Sequence, residues 1–139
     1  MFDPDDKSTN ILNQQSYIYK HIAEIALLRQ KESTLKFGRM FLREISSDSR
    51  HFHLPNCPHC TLAFSRILFD EEILVVYNSS PSDAKEEYVL IDSTLNKDKK
   101  SMNCIYGKNG TIEIHKNEEQ GTRFIKIYLQ PMQFVILKN

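Results

Sequence analysis

The segment Gly107-Lys108-Asn109-Gly110-Thr111-Ile112-Glu113-Ile114-His115 decides the fold class. Its last five residues alternate polar and apolar, so Ile112 and Ile114 face one side of an extended strand and Thr111, Glu113 and His115 the other. The residues before them contain Asn-Gly, the dipeptide that best tolerates the positive φ of a tight hairpin turn. Met102 to Tyr106 supplies a partner strand on the far side of that turn.

Outward from this hairpin the same rhythm continues. After Gly38, turn-forming residues return about every ten positions, the spacing of an antiparallel sandwich or barrel. The predicted strands are 39–45, 62–69, 73–79, 87–92, 102–106, 111–115, 123–129 and 133–138, eight in all. Asp70-Glu71-Glu72 and Glu118-Glu119-Gln120-Gly121 read as turns between neighbouring strands, and residues 96–100 as a charged loop.

Before Gly38 the period is helical. Ile18, Ile22, Ile25, Ala26 and Leu28 form an apolar stripe through residues 17–32, with Lys20, Glu24 and Lys31 between them. Ser16 or Asn13 would cap this amphipathic helix, and Gly38 would end it at positive φ. Residues 2–15 are rich in Asp, Asn, Ser and Gln and read as loop. The expected fold is therefore mainly β: an eight-stranded antiparallel sandwich preceded by one helix, whose apolar stripe needs a partner.

Composition narrows the function classes. A chain of 139 residues is enough for one hydrophobic core. With 18 Lys and Arg against 18 Asp and Glu, it lacks the basic excess of proteins that bind nucleic acid or membrane surfaces. No apolar run approaches the roughly 20 residues of a membrane span, and the acidic start does not read as a signal peptide. Three Cys are too few for a disulfide scaffold, leave at least one thiol unpaired, and fit a reducing compartment such as the cytoplasm. Four Gly, with no phosphate-cradling loop, no nucleophile elbow and no HExxH pattern, argue against nucleotide binding and the commoner hydrolase sites.

The conspicuous local motif is Cys57-Pro58-His59-Cys60. Two thiols at this spacing can close a small disulfide or share a metal. A thiol-redox role would place the first Cys at a helix N-terminus within a βαβ unit, whereas strand-like residues follow here. A zinc role would join Cys57 and Cys60 to His53 or His59 and a distant Cys104, but no second ligand pair stands at zinc-finger spacing. The plainer reading is a proline-containing loop with incidental thiols. The acidic pairs in Asp70-Glu71-Glu72, Glu86-Glu87 and Glu118-Glu119 have the residue types of glycoside hydrolysis, but turn positions point to solvated charge. His21 and His115 read as surface residues, and the six Tyr as core or rim rings with some capacity to stack on sugar. Asn78-Ser79-Ser80 and Asn109-Gly110-Thr111 match the glycosylation pattern, which has meaning only in a secreted chain.

The order of parts resembles one family. Tyr19-Lys20-His21-Ile22-Ala23-Glu24-Ile25-Ala26-Leu27-Leu28-Arg29, followed by Leu35-Lys36-Phe37-Gly38, looks like the last barrel helix of α-amylase-family enzymes, glycoside hydrolase family 13. Leu62-Ala63-Phe64-Ser65-Arg66 and Leu74-Val75-Val76-Tyr77-Asn78-Ser79-Ser80 resemble the central hairpin of that family's C-terminal domain. Tyr128-Leu129-Gln130-Pro131-Met132-Gln133-Phe134-Val135-Ile136-Leu137 resembles its last strand. The resemblance runs from about Phe2 onward. It implies a Greek-key sandwich packed on a (β/α)₈ barrel, with the catalytic Asp, Glu and Asp on barrel strands that have no match here. A barrel takes about 250 residues, so this chain cannot hold one.

The resemblance thus implies a leader and terminal barrel-type helix at 1–38 and a C-terminal sandwich at 39–139, with no catalytic residue and no cofactor. Its partner would be an upstream barrel acting on α-glucans in carbohydrate metabolism. Glucan contact, or a homodimer through the helix stripe, are further expectations. Two other classes compete: an independent carbohydrate-binding module, and a thiol-redox or zinc domain built on Cys57 and Cys60.

Overall fold

The computed structural model describes residues 17–139, so the expected leader loop and the Ser16 or Asn13 cap lie outside the described residues. Two helices come first, α1 (Tyr17–Lys31) and α2 (Ser33–Phe37). Nine strands follow: β1 (Arg39–Leu42), β2 (Ile45–Ser46), β3 (Thr61–Leu68), β4 (Glu71–Asn78), β5 (Lys85–Ile91), β6 (Ser101–Tyr106), β7 (Thr111–Lys116), β8 (Arg123–Leu129) and β9 (Phe134–Lys138). All pairings are antiparallel, in the order β1-β3-β4-β9-β6-β7-β8-β5-β2.

The sheet curls into a sandwich at two corners. In β7 the first half pairs with β6 (Met102 opposite Ile112) and the second half with β8 (Ile114 opposite Ile125), so one strand carries the chain from the first layer to the second. The opposite corner lies between β1 and β2. There the Arg43 N–H donates to Ala63 O of the first layer at 2.9 Å, and Glu44 O accepts from the Leu90 N–H of the second at 3.0 Å. This corner divides the expected strand 39–45 in two, β1 pairing with β3 and β2 with β5, with Arg43 and Glu44 bonded to different layers between them.

Between the layers lies the core. Leu74 and Val76 of β4, Val135 and Leu137 of β9 and Met102 of β6 meet Val89 and Ile91 of β5 and Ile125, Ile127 and Leu129 of β8. Each such side chain contributes about 1.5–3 kcal/mol when taken from water. The residues alternating with them on β3, β4 and β9 form the outer face of the first layer: Leu62 and Phe64, Val75 and Tyr77, Phe134 and Ile136.

The β6–β7 hairpin forms as its pattern predicts, with the Cys104 N–H bonded to Gly110 O at 2.9 Å. Its positive φ falls on Gly107 (86°) and Gly110 (87°), not on Asn109. The β3–β4 turn is Phe69-Asp70, with Phe69 at φ 55°; it starts one residue ahead of the predicted Asp70-Glu71-Glu72 turn and leaves Glu71 and Glu72 in β4. Gly38 has φ −62°, so it does not terminate the helix by a left-handed turn. It is there for room: a Cβ at Gly38 would stand 2.5 Å from Thr34 O and 3.0 Å from Ile67 N.

Candidate functional site

Three groups of residues stand out, each positioned by a different part of the fold. The first is the apolar outer face with its helices. α2 lies against β3 and β4 and buries Thr34. The Thr34 hydroxyl donates to Glu71, and Lys138 bridges Glu71 at 3.1 Å and Glu32 at 2.8 Å, so the helical segment is clasped to β4 and β9. The Glu32 bond is the main reason the Lys138 ammonium is held above its ordinary range, against the opposing effect of burial. Burial disfavours ionised Glu71, but the bonds from Thr34 and Lys138 outweigh it and hold this carboxyl below the usual range.

α1 continues over the same face. His21 Nδ1 and the Tyr106 hydroxyl are hydrogen bonded at 2.7 Å, and Tyr106 stacks on Phe134 at 5.0 Å. One cleft opens beside this bond, between Ile25 and Phe134, and another beneath Ile25, Leu35, Phe64 and Ile136. The face turned to the sheet carries His21, Ile25 and Leu28, whereas Ile22 is 52% exposed and Ala26 also faces solvent. The predicted stripe is therefore rotated: a polar His takes an inward position by bonding Tyr106, and it is not the plain surface residue expected. Beyond the helix the apolar surface continues through Met40, Leu42 and Leu62, all at least 47% exposed.

The second group surrounds Glu72. Expected as solvated turn charge, Glu72 is fully buried, pointing between the layers from β4. Its carboxylate accepts from Arg43 (2.8 Å), Ser65 Oγ (2.5 Å), Asn96 Nδ2 (2.6 Å) and the Asp92 N–H (3.1 Å). Asn96, read as part of a charged loop, is buried to supply that bond. Neighbouring strand residues point to opposite faces, so Glu71 serves the outer clasp and Glu72 the interior. Glu86 and Glu87 divide likewise. Glu86 pairs with Lys126 at 2.9 Å, while Glu87 lies half-buried near Thr61 with its carboxyl pushed up by burial. Glu118 is held by Lys116 at 2.8 Å in an exposed turn. None of the three acidic pairs gathers two carboxylates on one reacting centre.

The third group is the loop of residues 47–60. Asp48 organises its start, accepting from the Arg50 and His51 N–H groups at 2.9 Å each and bonding His51 Nδ1 at 2.7 Å, which together hold its carboxyl far below the usual range. His53 pairs with Ile45 through two backbone bonds, and its Nδ1 bonds Leu54 O at 2.9 Å. Cys57 and Cys60 are joined by a disulfide with Cα atoms 5.5 Å apart. Two of the three sulfurs of the zinc reading are thus bonded to each other. Cys104 stays unpaired as the odd count requires, packs against the core, and has its thiol pushed up by burial. Among the described residues no three His, Cys, Asp or Glu gather as metal ligands.

The remaining candidates fall to packing. His115 is half-buried and stacks on Phe124 at 5.6 Å, so it too is not a plain surface residue. Of the two glycosylation candidates, Asn109 is exposed in the β6–β7 turn, whereas Asn78 is fully buried, with its amide bonded to Asp83 O at 2.7 Å and Gln130 O at 3.1 Å. Tyr88 meets Phe124 edge-on, and the Tyr77 hydroxyl points to Met132, which leaves Tyr128, 46% exposed, as a tyrosine ring open to solvent, with Lys108 Nζ 5.8 Å from its centroid. Sequence reasoning missed the Lys138 clasp and the Glu72 cluster. Lys138 closes an apolar strand, and the partners of Glu72 are scattered from Arg43 to Asn96.

The fold thus defines a mainly β, sandwich-like domain with a short helical segment on one outer face. No family model and no curated protein matches the sequence. Among solved structures the chain is similar to a debranching enzyme from Nostoc punctiforme, 20% identical at a TM-score of 0.60, over 91% of this chain and 22% of that one. It is also similar to CldA, described as the first cyclomaltodextrin glucanotransferase with a three-domain ABC distribution. That match is 18% identical, with a TM-score of 0.60 over 91% of this chain and 22% of that one. At such identities the likeness is one of fold, and the chain spans 22% of the length of either enzyme.

Proposed function

We propose that this chain is a non-catalytic C-terminal domain of an α-amylase-type enzyme of glycoside hydrolase family 13, with residues 1–38 as leader and last barrel helix and residues 39–139 as the sandwich. Its work is burial: the outer apolar face and α1 seat against a (β/α)₈ barrel that acts on α-glucans, and hold that barrel in its folded state. The observation that carries this reading is the match of 91% of the chain to only 22% of two larger glucan-processing enzymes. The described acidic pairs, each divided between the two faces of a strand or tied up by a Lys, support it from the chemical side. A purified chain incubated with soluble starch should release no reducing ends above buffer. Release at a rate proportional to protein concentration overturns the proposal.

The exposure of Ile22 (52%) and Leu27 (65%) supports a corollary. Without a barrel, two copies should pair through α1, since exposed apolar stripes promote association. Sedimentation equilibrium checks this, with Ile22→Gln expected to shift the chain to monomer.

A further inference from the structure

We propose that Cys57 and Cys60 form a reversible thiol–disulfide switch, opened from solvent by a dithiol reductant, that controls the cleft wall formed by Leu54 and Pro55. The two cysteines are unequally exposed. Asn56, Cys57, Pro58 and His59 are all exposed, whereas Cys60 is 5% exposed. An incoming thiolate therefore reaches Cys57, and Cys60 is the leaving sulfur. The leaving sulfur already has a donor, since the Cys57 N–H points at Cys60 Sγ from 3.2 Å. A hydrogen bond of that kind stabilises thiolate more than disulfide sulfur.

The ring is poorly suited to being a staple. It spans a sequence separation of 3, and loop-closure stabilisation grows with loop length. It also holds His59 at φ 59°, a left-handed conformation unfavourable for a residue with a Cβ, which opening the ring is free to relax.

Coupling to the rest of the molecule runs in both directions along the chain. Downstream, Cys60 enters β3 directly, and its carbonyl accepts from Ser79 Oγ at 2.6 Å while Lys85 Nζ donates to His59 O. These bonds fix the Cys60 end whatever the redox state. Upstream, Leu54 and Pro55 stand between the Ile45–His53 bridge and the ring, and face Met40, Leu42, Leu62, Phe64 and Tyr77 across an apolar cleft. Opening the ring lengthens the free tether on that wall and loosens the cleft.

The step balances without an outside oxidant. One thiolate of the reductant attacks Cys57 Sγ, the bond to Cys60 breaks, and its electron pair leaves on Cys60 Sγ, which takes a proton from water. The reductant's second thiol then attacks the mixed disulfide, frees Cys57 as a thiol and closes the reductant's own disulfide. The protein gains two thiols and the reductant loses two.

Thiol counting by alkylation and mass spectrometry on the folded Cys104→Ser chain tests this with dithiothreitol as the probe. Two alkylations per chain are expected while the far-UV circular dichroism stays native. Hydrogen exchange should then quicken over residues 54–62 and leave β8 unchanged. With oxidised glutathione, Cys60→Ala should gain one glutathione at Cys57 rapidly, and Cys57→Ser should gain its own at the buried Cys60 much more slowly. Alkylation only upon unfolding, or adducts forming equally fast on the two variants, overturns the site; unchanged exchange at residues 54–62 after reduction overturns the coupling. None of these readouts involves a glucan or a barrel, so the switch and the proposed function stand or fall separately.

Discussion

Arg43 places its guanidinium 2.8 Å from the fully buried carboxylate of Glu72, at the corner where the chain leaves the first layer for the second. Arg43 Nε also donates to Ser65 Oγ at 2.8 Å, and Ser65 Oγ donates onward to Glu72. One carboxylate thus fastens the β1–β2 corner, β3, β4 and the segment after β5. Removing one member of such a buried pair leaves an unpaired charge and costs about 3–5 kcal/mol. Glu72→Ala should lose about that much in urea unfolding. The double variant Arg43→Met with Glu72→Leu should cost clearly less than the two single changes added together. Additive losses would mean that the two groups do not act as a unit.

The Lys138 clasp gives a pH dependence whose sign can be worked out. Glu71 titrates below its ordinary 4.5 in the folded chain, so its stabilisation is present above that value and is lost as pH falls through the lowered one. Lys138 titrates above its ordinary 10.5, so its share is present below that value and is lost as pH rises through the raised one. Both side chains are about one-third exposed (31% and 30%), and screening limits the clasp to about 1 kcal/mol. Lys138→Met should lower stability by about that amount between pH 5 and pH 10, and the difference should shrink in acid. It should also speed exchange of the Gly38 amide, which donates to Thr34 O at the end of α2. An unchanged Gly38 amide would separate the ion pairs from helix docking.

Glu87 should behave in the opposite sense. Burial raises its carboxyl above 4.5, so the ionised form is disfavoured in the folded chain at neutral pH. The protonated group's advantage is complete below the unfolded value and is lost as pH rises through the folded one. Glu87→Gln should therefore stabilise the chain at pH 7, with the gain vanishing below about pH 4. Urea midpoints at the two pH values decide it, and a loss at pH 7 would show that the Thr61 bond to Glu87 outweighs burial.

The hairpins were legible because period two and turn residues are local properties of the chain. Thr111 to His115 could be read alone, and its two isoleucines do share one face, packed against the core that holds Met102. The β1–β2 corner was not legible, since Arg39 to Ile45 holds no Gly, Pro, Asn or Asp to mark the point where its hydrogen-bond partners change from β3 to β5. Phe69 concealed the β3–β4 turn, because a bulky residue is among the least expected at positive φ. Glu72 concealed its burial: it stands beside Asp70 and Glu71, and the donors that satisfy it come from three separate stretches of sequence. The Cys-x-x-Cys spacing was visible, whereas the exposure of Cys57 and the burial of Cys60 belong to the folded loop alone.

Three glycines separate three costs of adding one methyl group. Gly110 has φ 87° with nothing within 4 Å of a built Cβ, so Gly110→Ala isolates backbone strain, roughly 1–2 kcal/mol. Gly38 has φ −62° but would bring a Cβ to 2.5 Å from Thr34 O, so Gly38→Ala isolates crowding. Its effect should fall on α2 and leave the β6–β7 hairpin intact. Gly107 combines both, with φ 86° and a Cβ 2.2 Å from Phe134 O, a backbone atom of β9 that cannot turn aside as a side chain would. Gly107→Ala should therefore be the most damaging of the three, and should loosen exchange along β9 as well as in the hairpin. If urea midpoints placed Gly107→Ala level with Gly110→Ala, the close approach of the turn to β9 would have to be relaxed in solution, and the outer face around Phe134 and Tyr106 would lose its fixed edge.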